Sequence, residues 1–145
     1  MSYTIQLKGQ PIRKEGVASE AMSPGHFVVS APTDESAAGS LAFPAAATNV
    51  AQGVVLENDI EGGTITTAYA TNDNVLYGVF PRGAEVLGRV AASATAIAKG
   101  VALAVQADGT LLHATVGTHQ VVAVALEAID NSGGGAEVFI KVEIA

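Results

Sequence analysis

Val101-Ala102-Leu103-Ala104-Val105-Gln106-Ala107-Asp108-Gly109-Thr110-Leu111-Leu112 is the stretch that decides the fold. An apolar run enters Asp108-Gly109, and a second run leaves it. Both turn residues tolerate positive φ, so the stretch reads as two short strands joined by a hairpin turn. Similar segments lie to either side. His26-Phe27-Val28-Val29 follows the turn signal Ser23-Pro24-Gly25. Gly53-Val54-Val55-Leu56-Glu57 reads as a buried strand, and Thr64-Ile65-Thr66-Thr67-Ala68-Tyr69 as an alternating β-branched one after Gly62-Gly63. Val75 to Phe80 ends at Pro81, Ala84 to Val90 follows Gly83, and Val121 to Leu126 and Val138 to Ile144 complete the set. Strands at this spacing with glycine-rich turns predict an all-β barrel or sandwich. The alanine-rich stretch Ala91 to Ala98 is the single candidate helix, weakened by Ser93 and Thr95. A long loop is expected from Ala31 to Thr48, of the kind that makes contacts or stays disordered.

A faint repeat runs through these segments. Gly53-Val54-Val55-Leu56-Glu57 matches Ala123-Val124-Ala125-Leu126-Glu127 at an offset of 70, and an acidic turn with glycines follows each. Pro24-Gly25-His26-Phe27 is echoed by Lys99-Gly100-Val101-Ala102. Two related half-barrels closing on each other account for this; chance matching in text rich in Ala, Val and Gly is the competing account.

Composition narrows the function. The chain has 145 residues, a length typical of one domain. Apolar residues make up 49% of it, mainly Ala and Val, but aromatics only 5%, with no Trp. The core is therefore finely divided and closely spaced. Charged residues, at 14%, fall well below the usual quarter, which suits a surface hidden against neighbours. The net charge of −7 leaves no basic face for nucleic acid. The absence of cysteine excludes disulfides, thiolate zinc sites and cysteine nucleophiles. No run reaches the roughly 18 apolar residues of a membrane span. Met1-Ser2-Tyr3-Thr4-Ile5 lacks the features of a signal peptide, which predicts a protein made and kept inside a cell, or assembled there into something later released.

The charge is unevenly placed. Residues 1–14 hold Lys8, Arg13 and Lys14 and no acid, whereas the remainder holds four basic side chains against all 14 acids. Tyr3, Ile5 and Leu7 alternate with Thr4, Gln6 and Lys8 before Pro11 breaks the run, a period that suits a half-buried strand. Residues 1–16 thus read as an extended N-terminal arm and 17–145 as a single β domain. The arm either pairs with its own domain or adds a strand to a neighbour.

Motifs of chemistry are missing. His26, His113 and His119 do not converge in sequence, and a metal site needs three or four convergent ligands, so they read as surface or interface residues. Glu57, Asp59 and Glu61, and Glu127 with Asp130, read as solvated turn carboxylates without a calcium-loop pattern. No Gly-x-Ser-x-Gly elbow is present, and Gly133-Gly134-Gly135 leads into a strand without a phosphate-loop lysine. Arg82 and Arg89 read as ion-pairing residues. No catalytic residue, metal set or cofactor site is assigned.

The succession Lys99-Gly100-Val101-Ala102-Leu103, Asp108-Gly109-Thr110-Leu111, Val122 to Ala128, a glycine run and Glu137-Val138-Phe139-Ile140-Lys141-Val142 resembles head decoration (capsid cement) proteins of tailed bacteriophages. The resemblance covers residues 80–145 well and the first half loosely, with Ala123 where such proteins often carry Gly. It implies a compact β-barrel or β-tulip-like domain of short antiparallel strands, forming a homotrimer on the outer capsid surface of a virion. It implies the major capsid protein as partner, whose subunits the trimer bridges to reinforce the expanded shell, after synthesis in the host cytoplasm. On that reading Tyr3, Ile5, Leu7, Lys8, Arg13 and Lys14 form the docking arm. Neither nucleic acid, membrane nor cofactor is expected. The alternatives are a receptor- or carbohydrate-binding module on the virion surface, which would want exposed aromatic platforms, and a trimeric nucleotide hydrolase, which would want convergent Asp, Ser, Gln and aromatic groups.

Overall fold

Eleven strands and one 3-10 turn, Asp59–Glu61, make up the regular structure of the described residues, and no α-helix occurs among them. The computed structural model describes residues 4–30, 40–45, 47, 51 and 53–145. The strands form two small barrels, each closed by five consecutive strands. The first contains β2 (Ile12–Ala18), β3 (Phe27–Ser30), β4 (Ser40–Ala42), β5 (Gly53–Val55) and β6 (Asn74–Val79), in the ring order β2-β4-β3-β5-β6. The second contains β7 (Glu85–Val90), β8 (Ala102–Val105), β9 (Leu111–His113), β10 (Ala123–Ala125) and β11 (Val138–Ile144). Its sheet runs β7-β11-β10-β8-β9, and the pair Val90↔Leu111 joins its ends. A short strand β1 (Gln6–Lys8) lies on the free half of the β7 edge.

The two barrels are the same object built twice. In each, the first strand pairs parallel with the third and antiparallel with the fifth, and every other neighbour is antiparallel. The registers agree as well. Val28↔Gly53 in the first barrel corresponds to Leu103↔Ala123 in the second, and Val54↔Gly78 corresponds to Val124↔Glu143. Gly25 and Gly100, both at positive φ, donate to Val55 O and Ala125 O respectively. The offset-70 match in the sequence is therefore a structural repeat, but each half closes on itself; the expected pair of half-barrels gives way to two whole ones.

Alternation along short strands fills each barrel. Ala18, Met22, Val28, Leu41, Val55, Tyr69 and Val75 cluster inside the first. The register carries them onto Val90, Ile97, Leu103, Leu111, Ala125, Ile129 and Ile140 in the second. Small side chains are needed because a five-stranded ring leaves little interior. The outward residues of the first barrel, Phe27, Val54 and Leu56, join Phe80 and the second barrel's core in one cluster. Phe27 N–H donates to Gly109 O at 2.9 Å, which seats the Asp108-Gly109 turn against β3. The Phe27 ring reaches Gly88, where an added Cβ would lie 3.3 Å from it. Full burial of a side chain of this size contributes about 1.5–3 kcal/mol.

Two expected elements are absent, one for a local reason and one for a tertiary reason. Thr64 to Tyr69 is a turn: Thr67 N–H donates to Thr64 O, Thr64 N–H donates to Thr67 Oγ1, and only Tyr69 bridges, to Met22. Threonine hydroxyls that bond backbone locally compete with a ladder. Ala91 to Ala98 is an extended run with a turn at Ala92-Ser93, where Ser93 sits at φ 57 and donates to Gly134 O. Tertiary pairing of Ile97 with Ile129 overrides alanine's helix propensity there. Much of the expected 31–48 loop lies outside the described residues, but Ser40–Ala42 within it form β4.

Candidate functional site

Residues 4–18 carry most of the residues singled out for docking, and the structure separates them. Tyr3 lies outside the described residues. Ile5 is fully buried in the shared core, and its N–H donates to Glu57 Oε2 at 3.0 Å. Leu7 is half-buried. Lys8 is exposed and pairs with Glu85 at 3.0 Å across the β1–β7 ladder. Arg13 and Lys14 lie on β2, exposed, with no ion pair among the described residues.

Beside β1 a groove of about 930 Å³ opens between β7, β11 and the Thr64–Thr66 turn. Leu7, Ile65, Leu87 and Phe139 give it apolar walls; Lys8, Glu85, Glu127 and Lys141 supply charge. Glu127 is committed in part, accepting Lys141 N–H at 2.8 Å. A second, more polar cleft of about 520 Å³ lies by the 3-10 turn, lined by Glu15, Asn58, Glu61, Tyr69 and Asp73 among others. Tyr69 donates its hydroxyl to Leu56 O at 2.9 Å, and burial pushes its pKa up to about 12.

The junction of the barrels holds a polar knot. His26 Nδ1 accepts Ser23 N–H at 3.0 Å, so the ring proton sits on Nε2 and faces Glu137 Oε2 at 3.0 Å. Arg89 Nη1 reaches the same oxygen at 3.2 Å, while its Nε and Nη2 donate to Pro24 O and Ile65 O. Its guanidinium also lies 4.5 Å from the centre of the Phe139 ring. Burial holds the His26 pKa below its ordinary value, against the opposing pull of Glu137. Three Arg89 donors, both His26 ring nitrogens and the Glu137 carboxylate are bonded within the fold, so the knot joins the two barrels.

The acidic turns are hydrogen-bonded within themselves. Glu61 accepts from Asn58 Nδ2, and Asp130 accepts from the hydroxyl and N–H of Ser132, which hold its carboxyl below the usual range. His113 is exposed, and His119 Nδ1 accepts Thr115 N–H. Among the described residues no three His, Asp or Glu side chains stand close enough to hold a metal ion. The knot itself escaped sequence reasoning because its members are far apart in the chain, with no local pattern to connect them.

No protein-family model matches the chain, and no curated protein does. Among solved structures it is similar to the N base of head fiber gp8.5 in bacteriophage phi29, with a TM-score of 0.61 and 13% sequence identity. The likeness covers 94% of this chain and 95% of that one, so it takes in both barrels and their junction. The head-decoration resemblance seen over residues 80–145 thus finds no family match, whereas the architecture of a phage head-fiber base extends along nearly the whole chain.

Proposed function

We propose that this chain is a structural protein of a phage virion, docked on the outer surface of the head. In the finer form of this reading it is a homotrimer that bridges major capsid protein subunits and stabilises the expanded shell, with no enzymatic role. The observation that carries the reading is the fold shared with the phi29 head-fiber base over 94% of the chain. Low charge, small side chains and the exposed basic pair Arg13 and Lys14 on an otherwise acidic body are compatible with it. Several modest contacts made together can raise avidity by a factor on the order of 10²–10⁴.

Light-scattering mass and co-pelleting with expanded and unexpanded capsids test it. A mass of three chains with saturable pelleting confined to expanded shells supports the proposal. Reversing charge at Arg13 and Lys14 and neutralising Lys8, which lies opposite Glu85, should weaken pelleting while the fold is retained, because all three side chains are exposed. A monomer that ignores every shell overturns it.

A further inference from the structure

The two barrels differ along one strand edge. In the second, β9 reaches β7 only at Val90, and β1 takes the rest of that edge. Gln6 opposes Val86, Lys8 opposes Glu85, and Leu87 N–H donates to Ile5 O at 2.9 Å. In the first barrel β4 reaches β2 only at Val17 and Ala18. From Ile12 to Gly16 no described strand lies on that side of β2. The repeat register carries Glu85, Val86 and Leu87 onto Arg13, Lys14 and Glu15. Ala18 N–H donates to Asp73 O toward β6, so alternation aims the N–H groups of Arg13 and Glu15 the other way, outward.

We propose that the β2 edge from Ile12 to Gly16 receives an extended acidic segment of another protein, which pairs antiparallel as β1 pairs with β7. Charge selects the occupant. On the covered edge Lys8 of the added strand meets Glu85 at 3.0 Å. On the open edge Arg13 replaces that glutamate, and Lys14 follows it. A β1 strand from a second copy would therefore set Lys8 against Arg13, and like charges directly opposite each other oppose pairing. An acidic side chain at the same place satisfies Arg13, while the main-chain groups of Arg13 and Glu15 supply affinity. That the segment belongs to a shell subunit rests on the virion reading above; that no described strand covers the edge does not. The competing account is that Arg13 and Lys14 keep other strands away, as charged edge residues often do.

Two peptides of residues 3–9, one unaltered and one carrying Lys8→Glu, titrated into the full chain with amide hydrogen exchange, decide between these. The Lys8→Glu peptide should bind more tightly and protect the amides of Arg13 and Glu15 but not that of Leu87. In an Arg13→Glu chain the order should reverse, each preference reaching up to about fivefold, the size of one cross-strand pair. Failure of both peptides, protection of these amides in the free chain, protection that rises with protein concentration alone, or an unchanged order in the Arg13→Glu chain overturns the proposal. Peptide binding without capsid pelleting would remove the virion reading and keep the edge; pelleting without peptide binding would do the opposite.

Discussion

Arg89 and Glu137 stand 48 residues apart in sequence and 3.2 Å apart in space, and the carboxylate that Arg89 holds is the one His26 faces from the other barrel. One acid thus ties the loop before β3 to strands β7 and β11. Removing Arg89 leaves Pro24 O and Ile65 O without this side-chain donor and Glu137 with His26 alone, in a site where the arginine side chain is only 12% exposed. Arg89→Ala should cost about 3 kcal/mol, as for a partly buried pair losing one member, and Glu137→Gln about 1 kcal/mol. Urea unfolding followed by circular dichroism reads both; a loss below 1 kcal/mol for Arg89→Ala would mean the knot is not a join.

Stability should fall below neutral pH through His26. Its folded pKa lies below the ordinary 6.5, so between the two values the unfolded chain binds the extra proton and folding is disfavoured. The His26 contribution is complete above about pH 6.5, declines as pH drops from there, and levels off once the folded imidazole is itself protonated. Protonation also puts a hydrogen on Nδ1, which faces Ser23 N–H. Melting temperatures across pH 5 to 8 should show a steeper acid-side decline in the native chain than in His26→Gln; parallel curves would remove His26 as the cause.

Gly109 and Gly62 provide a matched pair. Both have positive φ, 79° and 78°, but a Cβ at Gly62 meets nothing within 4 Å, whereas one at Gly109 lies 2.7 Å from Phe43 and 3.2 Å from His26 Cβ. Gly62→Ala should cost about 1 kcal/mol, the conformational part alone. Gly109→Ala should cost a further 1–3 kcal/mol for crowding at the barrel junction. Equal losses in chemical denaturation would show that the turn does not pack against the first barrel.

Ile5 belongs to the fold whatever the arm does outside it. Ile5→Ala should cost about 2–4 kcal/mol and speed exchange of the Leu87 amide, which is bonded to Ile5 O. Deleting residues 1–14 would remove this anchor and the start of β2, so charge reversal is the cleaner probe of docking.

Elements whose signal is local were legible in the sequence. Val138–Ile144 runs as read, Asp108-Gly109 turns as read, with Gly109 at φ 79, and the offset-70 match marks β5 and β10. Readings failed where side-chain hydrogen bonds within a turn, or a neighbour distant in sequence, decide. Thr64 to Thr67 have strand-like residues whose hydroxyls close a turn, and Ala91 to Ala98 have helix-like residues pinned by Gly134 and Ile129. Three-residue β4 is too short to announce itself by alternation. Of the candidate docking residues, pattern alone could not tell that Ile5 is buried in its own fold, because a period of two marks an apolar face without saying whether it packs on this chain or on a neighbour.

In both barrels the opening strand is sealed by the closing one: Ile12 lies opposite Val79, and Glu85 opposite Glu143. The chain therefore leaves each ring at the rim where it came in, and five residues, 80–84, suffice to begin the next. A unit that returns its ends to one place can be strung behind another, cut and rejoined elsewhere, or grafted into a loop without redrawing its interior. The fold is in this sense a bead with its own clasp, and lengthening such a protein by whole beads is a smaller step than reshaping one.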